Sequence, residues 1–215
     1  YTGYYEVRIT LAKDLGRQQY ETVNRVQTHD EVERQFREYA ENIIAIGRRI
    51  DADVMWNCVN LLKSCKQAHL LAVGNTCPLT QYMGFRLGRL GIKSTYNVAA
   101  EYFLNNVNLA DSDDILVAIS QSGTSKQVIQ GLELGKEKGL KAIAITAYAN
   151  SPVANLADYV LLSAGTEGPF NYYKGFAHLN ETAVIDALLN FVTNAELINK
   201  KQADRPEIIL SEYKM

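Results

Sequence analysis

Ser120-Gln121-Ser122-Gly123-Thr124-Ser125 packs four hydroxyls and a glycine into six residues, directly behind the apolar run Ile115-Leu116-Val117-Ala118-Ile119. A helical pattern begins at Lys126. A strand that feeds a helix through such a turn can hold an anion. The first-turn N–H groups lack partners within the helix, and the positive end of the helix dipole favours negative charge. Hydroxyls add neutral donors, and Gly123 lets the backbone approach closely or take φ > 0. A simple N-cap needs one hydroxyl, and this turn offers four. A second polar loop, Gly74-Asn75-Thr76, follows another apolar run at Leu70-Leu71-Ala72-Val73. The expected chemistry is the binding of a phosphorylated small molecule by Gly74, Asn75, Thr76, Ser120, Gln121, Ser122, Gly123, Thr124 and Ser125.

The elements that would position these loops alternate strand and helix, as in parallel α/β domains. Strands are predicted at 70–73, 94–98, 115–119, 142–146 and 159–162. Helices are expected between them, the one after the first strand stopped by Gly91 and the one after the third by Gly139. Two helices precede the first strand. The first carries Val32, Phe36, Tyr39, Ile43, Ile44 and Ile50 on one face. The second, over 51–65, turns Met55, Cys58, Val59, Leu62 and Cys65 inward, with Asp51 or Asp53 as its cap. A last helix is predicted over 178–197. The implied architecture is a three-layer α/β sandwich around a five-stranded parallel sheet of flavodoxin-like order 2-1-3-4-5. Its topological switch falls between strands one and three, where the two polar loops converge.

Bulk properties restrict the rest. The chain has 215 residues, 47% of them apolar and 21% charged, which suits one soluble α/β core plus an extension. A net charge of −2 gives no basic footprint, so this chain alone is not a strong nucleic-acid binder. No apolar run reaches the roughly 20 residues that cross a bilayer, and no membrane partner is expected. Three cysteines without a CxxC pair point to a reducing cytoplasm. No metal-ligand spacing appears, and no cofactor is expected. No G-x-G-x-x-G opens a helix after the first strand, which weakens a dinucleotide reading. The chain opens at Tyr1 inside an amphipathic stretch, so an upstream part is expected.

The segments Ile119 to Ser125, Gly139-Leu140-Lys141-Ala142-Ile143-Ala144-Ile145-Thr146 and Asn150 to Leu161 together resemble the sugar isomerase (SIS) domain over residues 40–195. Gly3-Tyr4-Tyr5-Glu6-Val7-Arg8-Ile9-Thr10-Leu11-Ala12 resembles the close of the helix-turn-helix domain in RpiR-type transcriptional regulators. Ala183-Val184-Ile185-Asp186-Ala187-Leu188-Leu189 resembles their last SIS helix. The resemblance implies residues 1–17 as the end of a helix-turn-helix domain, 18–30 as linker, 31–200 as the phosphosugar-binding domain and 201–215 as a tail. It further implies a sugar-phosphate effector, amino-sugar phosphates among the candidates, DNA bound through the N-terminal domain, and a homodimer or tetramer. The alternative is a phosphosugar isomerase or related enzyme on the same fold. The regulator reading assigns no catalytic residue.

Three departures concern the sugar end. The family loop Gly-x-Gly-x-Ser is here Ala72-Val73-Gly74-Asn75-Thr76. Glu101 stands where a His is frequent, and Ala177-His178 replaces a Ser-Arg pair. Glu101, His178 and Glu181 are therefore the sugar-end candidates. Glu101 is also readable as a surface carboxylate. His178 and Glu181, three apart on a helix, suit either an acid–base pair or a solvated or interface pair. His69 reads as structural, His29 as exposed linker and Trp56 as core or dimer packing. Cys77 reads as a buried filler or a helix-terminal thiolate, and Asn171-Tyr172-Tyr173-Lys174 as a lid or a surface turn.

Overall fold

The computed structural model describes residues 29–165 and 178–194. The expected end of the helix-turn-helix domain, most of the linker, Asn171 to Lys174 and the tail lie outside these residues. The elements run α1 (His29–Arg49), α2 (Ala52–Ser64), β1 (Ala68–Leu71), α3 (Cys77–Arg89), β2 (Ser94–Tyr96), α4 (Ala100–Asn108), β3 (Ile115–Ile119), α5 (Lys126–Glu137), β4 (Lys141–Thr146), α6 (Pro152–Leu156), β5 (Tyr159–Leu162) and α7 (Leu179–Asn194). The strands form one all-parallel sheet in the order β2-β1-β3-β4-β5, as the alternating pattern implied.

Alternation along each buried strand divides the core into two layers. Ile115, Val117 and Ile119 of β3 join Leu70, Ile143, Ile145 and Leu161 beneath α2, α3 and α7. Leu116 and Ala118 join Leu71, Ala142 and Ala144 beneath α4, α5 and α6. Each fully buried Leu or Ile contributes about 1.5–3 kcal/mol relative to exposure, so the sheet's continuous apolar strands supply most of the driving force.

Several boundaries differ from expectation for local reasons. β1 starts at Ala68, two residues early, because neighbours satisfy the polar His69 inside the sheet. Its Nδ1 lies 2.8 Å from Thr95 Oγ1 and its Nε2 3.3 Å from Asp114 Oδ2. His69 is structural, as expected. Ala72 and Val73 leave the ladder to enter the turn at Gly74. β2 stops at Tyr96 because the Asn97 side chain accepts from the Ala99 N–H at 3.2 Å, forming a turn. Asp51 caps α2 by accepting from the Asp53 and Val54 N–H groups. Helix α6, expected between the fourth and fifth strands but given no range, is only five residues long, too few for a periodic signal. It is set by Ser151, which caps the Ala154 N–H, and by Pro152 in the first turn.

Helix α1 departs most. It begins at His29, inside the stretch read as linker, and among its described side chains Ile46 alone is buried. The anticipated stripe is largely open to solvent, with Val32 56%, Phe36 68% and Ile44 54% exposed. Trp56 is not core either. It lies half-exposed against Phe191, ring centroids 5.3 Å apart.

Candidate functional site

The carboxyl ends of β1 and β3 are adjacent in the sheet, and each opens into a tight turn. After β1, Gly74 takes φ +66° and starts a 3-10 turn, Gly74–Thr76, that runs straight into α3. After β3, Gly123 takes φ +63° and its N–H donates to Ser120 O at 3.0 Å. Both turns need the left-handed region, which glycine enters without the Cβ penalty. Gly123 also lies flat against α6. Its carbonyl accepts from the Val153 N–H at 3.0 Å, and an added Cβ would collide with the Ser151 side chain.

The hydroxyls divide by role. Ser120 is buried, with Oγ 3.2 Å from Ser125 Oγ. Thr76 is buried and donates to Val73 O at 3.0 Å, so this hydroxyl holds the turn rather than facing the crevice. Thr124 is exposed, and its Oγ1 and N–H both point at Ser122 Oγ, at 3.0 and 3.3 Å. Asn75 is exposed beside Gly74. Gln121 is held through its backbone. Its carbonyl accepts from the Ala147 N–H at 3.0 Å and from Thr146 Oγ1 at 3.3 Å.

A contrast between helix starts marks the crevice. Asp51 and Ser151 cap α2 and α6 with their side chains. Thr76 and Ser125 occupy the same cap position on α3 and α5, yet neither makes a side-chain cap bond. The first-turn N–H groups of α5 therefore have no side-chain acceptor at the cap. Helix α3 instead continues from the 3-10 turn, with its Cys77 N–H donating to Gly74 O and no N–H at Pro78. Both helices begin at the switch point. Such a pair of helix starts, with hydroxyls beside them, suits a phosphate.

The three sugar-end candidates do not behave alike. Glu101 sits exposed in the first turn of α4. Glu181 is fully buried, so it is neither a solvated nor an interface carboxylate. Its Oε1 accepts from Ser163 Oγ at 3.0 Å, and its Oε2 lies 3.7 Å from His178 Nδ1. Cys77 begins α3 but is buried, and its Sγ donates weakly to Ala72 O at 3.5 Å. Burial pushes this thiol up, which fits a neutral filler rather than a thiolate. Thr146 and Ser151, which brace the cradle from β4 and α6, were missed, as was Ser163, which lies behind Thr146 and bonds Glu181 rather than the cradle. The one local signal among them was Ser151 before Pro152.

Burial pushes the Glu181 carboxyl above its ordinary value of 4.5. Its protonated form is therefore favoured by folding. Between 4.5 and the raised value the native state binds the extra proton, so this group's contribution to stability is full at lower pH and is lost as pH rises. Glu181→Gln keeps an acceptor for Ser163 and removes the charge. We expect the variant to gain stability over wild type at neutral pH, with the gain vanishing near pH 4, roughly the ordinary carboxylate range. Urea unfolding across that range checks it, and a pH-independent difference would contradict the assignment.

The family model for the SIS domain matches residues 61–190, more than half of the chain, and the chain belongs to this family. Among its relatives is an HTH-type transcriptional regulator of Clostridium perfringens, 24% identical over 94% of this chain and 75% of that protein. Another is the HTH-type transcriptional regulator RpiR of Escherichia coli, 26% identical over 72% of this chain and 51% of the relative. The chain thus spans about half of RpiR. Isomerizing glutamine–fructose-6-phosphate aminotransferases also match. The fold is shared with Vibrio vulnificus NanR complexed with ManNAc-6P. The two superpose with a TM-score of 0.80 at 20% identity, covering 97% of this chain and 75% of NanR.

Proposed function

We propose that this chain is the phosphosugar-sensing effector domain of an RpiR-type regulator of carbohydrate metabolism genes. The observation that carries the proposal is the pair of helices, α3 and α5, that start at one crevice with hydroxyl residues not used as caps. The phosphate of the effector binds there, held by Ser120, Gln121, Ser122, Gly123, Thr124, Ser125, Gly74 and Asn75 through hydroxyls and backbone N–H groups. Thr76 shapes the turn from within. The ligand class is a sugar phosphate, amino-sugar phosphates included, and the complex of NanR with ManNAc-6P supports it. DNA is read through the helix-turn-helix domain whose end lies in residues 1–17.

The domain senses its ligand rather than converting it, and it needs no cofactor. Isomerisation requires a base within reach of the reacting carbon. Glu101 is exposed on α4, and Glu181 is enclosed and bound to Ser163. A sensor needs only different affinities for the ligand in two states, and a coupling of about 1–3 kcal/mol suffices. The exposed stripe of α1, together with Trp56 and Phe191, supports a homodimer, with a tetramer as its pairing. Among the described residues no helix is long and apolar enough to cross a membrane, and a cytoplasmic location suits a regulator.

Sedimentation with N-acetylmannosamine 6-phosphate, glucosamine 6-phosphate and ribose 5-phosphate tests the whole reading. The expected species has twice the 24.0 kDa chain mass, binds at least one of these compounds and turns over none. A stable monomer would remove the dimer. Turnover at roughly 1 per second or faster would establish an enzyme instead.

A further inference from the structure

A continuous set of polar contacts links the cradle to helix α1. It begins at the Gln121 carbonyl, which accepts from Thr146 Oγ1 at 3.3 Å. Thr146 is fully buried, and its own carbonyl accepts from the Ser163 N–H at 2.9 Å. Ser163 Oγ donates to Glu181 in the first turn of α7. The neighbour of Glu181, Asn180, accepts through Oδ1 from Asn42 Nδ2 on α1 at 2.7 Å. A second pin lies beside the first, where Arg49 Nη1 donates to Ala164 O at 2.8 Å. The same segment approaches α1 very closely at Gly165. A Cβ there would meet Ala45 Cβ at 2.7 Å and Asn42 Oδ1 at 2.9 Å.

Among the described residues, the fastening of α1 lies in its carboxyl half. Asn42, Ile46 and Arg49 fasten its carboxyl half to the body, whereas every residue from 32 to 41 is exposed. Twenty-one residues make a rod of about 31 Å. A tilt of about 5° at the pins would move its amino end by about 2 Å. That end leads into residues 1–28, where the regulator reading puts the connection to DNA.

We propose that α1 is the output lever of the effector site, driven through Gln121, Thr146, Ser163 and Glu181 and fastened by Asn180–Asn42 and Arg49–Ala164. The inference rests on the reading of the cradle as the effector site and adds how occupancy leaves it. Anion binding fixes the backbone at Gln121. Thr146, Ser163 and Glu181 are buried, so a shift among them is passed on to the start of α7 and to the half-buried pins rather than absorbed by solvent. Two states of these pins would be the bistable element that such coupling requires.

Amide hydrogen exchange on the full 215-residue chain tests this, with inorganic phosphate and N-acetylmannosamine 6-phosphate as probes. In wild type, at least one probe should slow exchange over 120–128 and change exchange at least twofold over 29–49. In Asn42→Leu and in Ser163→Ala the probe should still protect 120–128, while the response over 29–49 disappears. Gly165→Ala, which pushes α1 off its seat, should alter exchange over 29–49 without any probe. Protection of 120–128 in wild type with no change over 29–49, or an undiminished α1 response in both variants, overturns the lever and leaves the sensor reading intact. Absence of protection over 120–128 with either probe overturns both.

Discussion

Thr124→Glu is expected to abolish sugar-phosphate binding while leaving the fold unchanged. Thr124 is exposed at the mouth of the cradle, and its hydroxyl contacts only Ser122 Oγ, so no core contact is lost. The introduced carboxylate would lie about 5 Å from the phosphate. At an effective dielectric of about 20 that repulsion is about 3 kcal/mol per pair of unit charges, or more than about 100-fold in affinity. Calorimetric titration of the variant with glucosamine 6-phosphate should give no detectable heat, and its melting midpoint should match wild type. Unreduced affinity would remove the phosphate from this loop.

Gly123→Ala should damage both stability and binding. The left-handed backbone costs an L-residue about 1–2 kcal/mol, and the new methyl meets the Ser151 side chain, which caps α6. Relief of that collision would displace α6 or open the turn, adding about 1–3 kcal/mol. The expected loss is about 2–5 kcal/mol in urea unfolding, with binding weakened in the fraction that still folds. A loss under about 0.5 kcal/mol would mean that the turn tolerates another conformation.

The parts of the fold legible in the sequence were those set by short-range pattern. β3 and β5 stand where their apolar runs stand, since both ends of each run are marked by polar residues. β1 was misplaced because His69 looks like a boundary residue. It becomes a strand residue only when Thr95 and Asp114, distant in sequence, arrive to bond it. Helix α1 followed its period but not its burial. A stripe at helical spacing tells which residues share a face, not whether this chain supplies the surface to cover it. At the site, the hydroxyl loops were visible as composition, whereas the division of labour among them was not. Thr76 turns inward because Val73 O is left unpaired by the departing strand. Glu181 could not be known as buried, since its partner Ser163 lies 18 residues away and meets it only through the sheet.

The uncapped start of α5 has a consequence for how this molecule breathes. A hydroxyl cap contributes about 0.5–2 kcal/mol to a helix, and Ser125 withholds it from α5. The first turn of α5 should therefore open more readily than those of α2 and α6, which have their caps. In the proposed sensor, a bound anion would supply the acceptor that the Ser125 side chain does not, and close that end. Restoring that cap in the proposed sensor to raise the melting temperature would therefore compete with the anion.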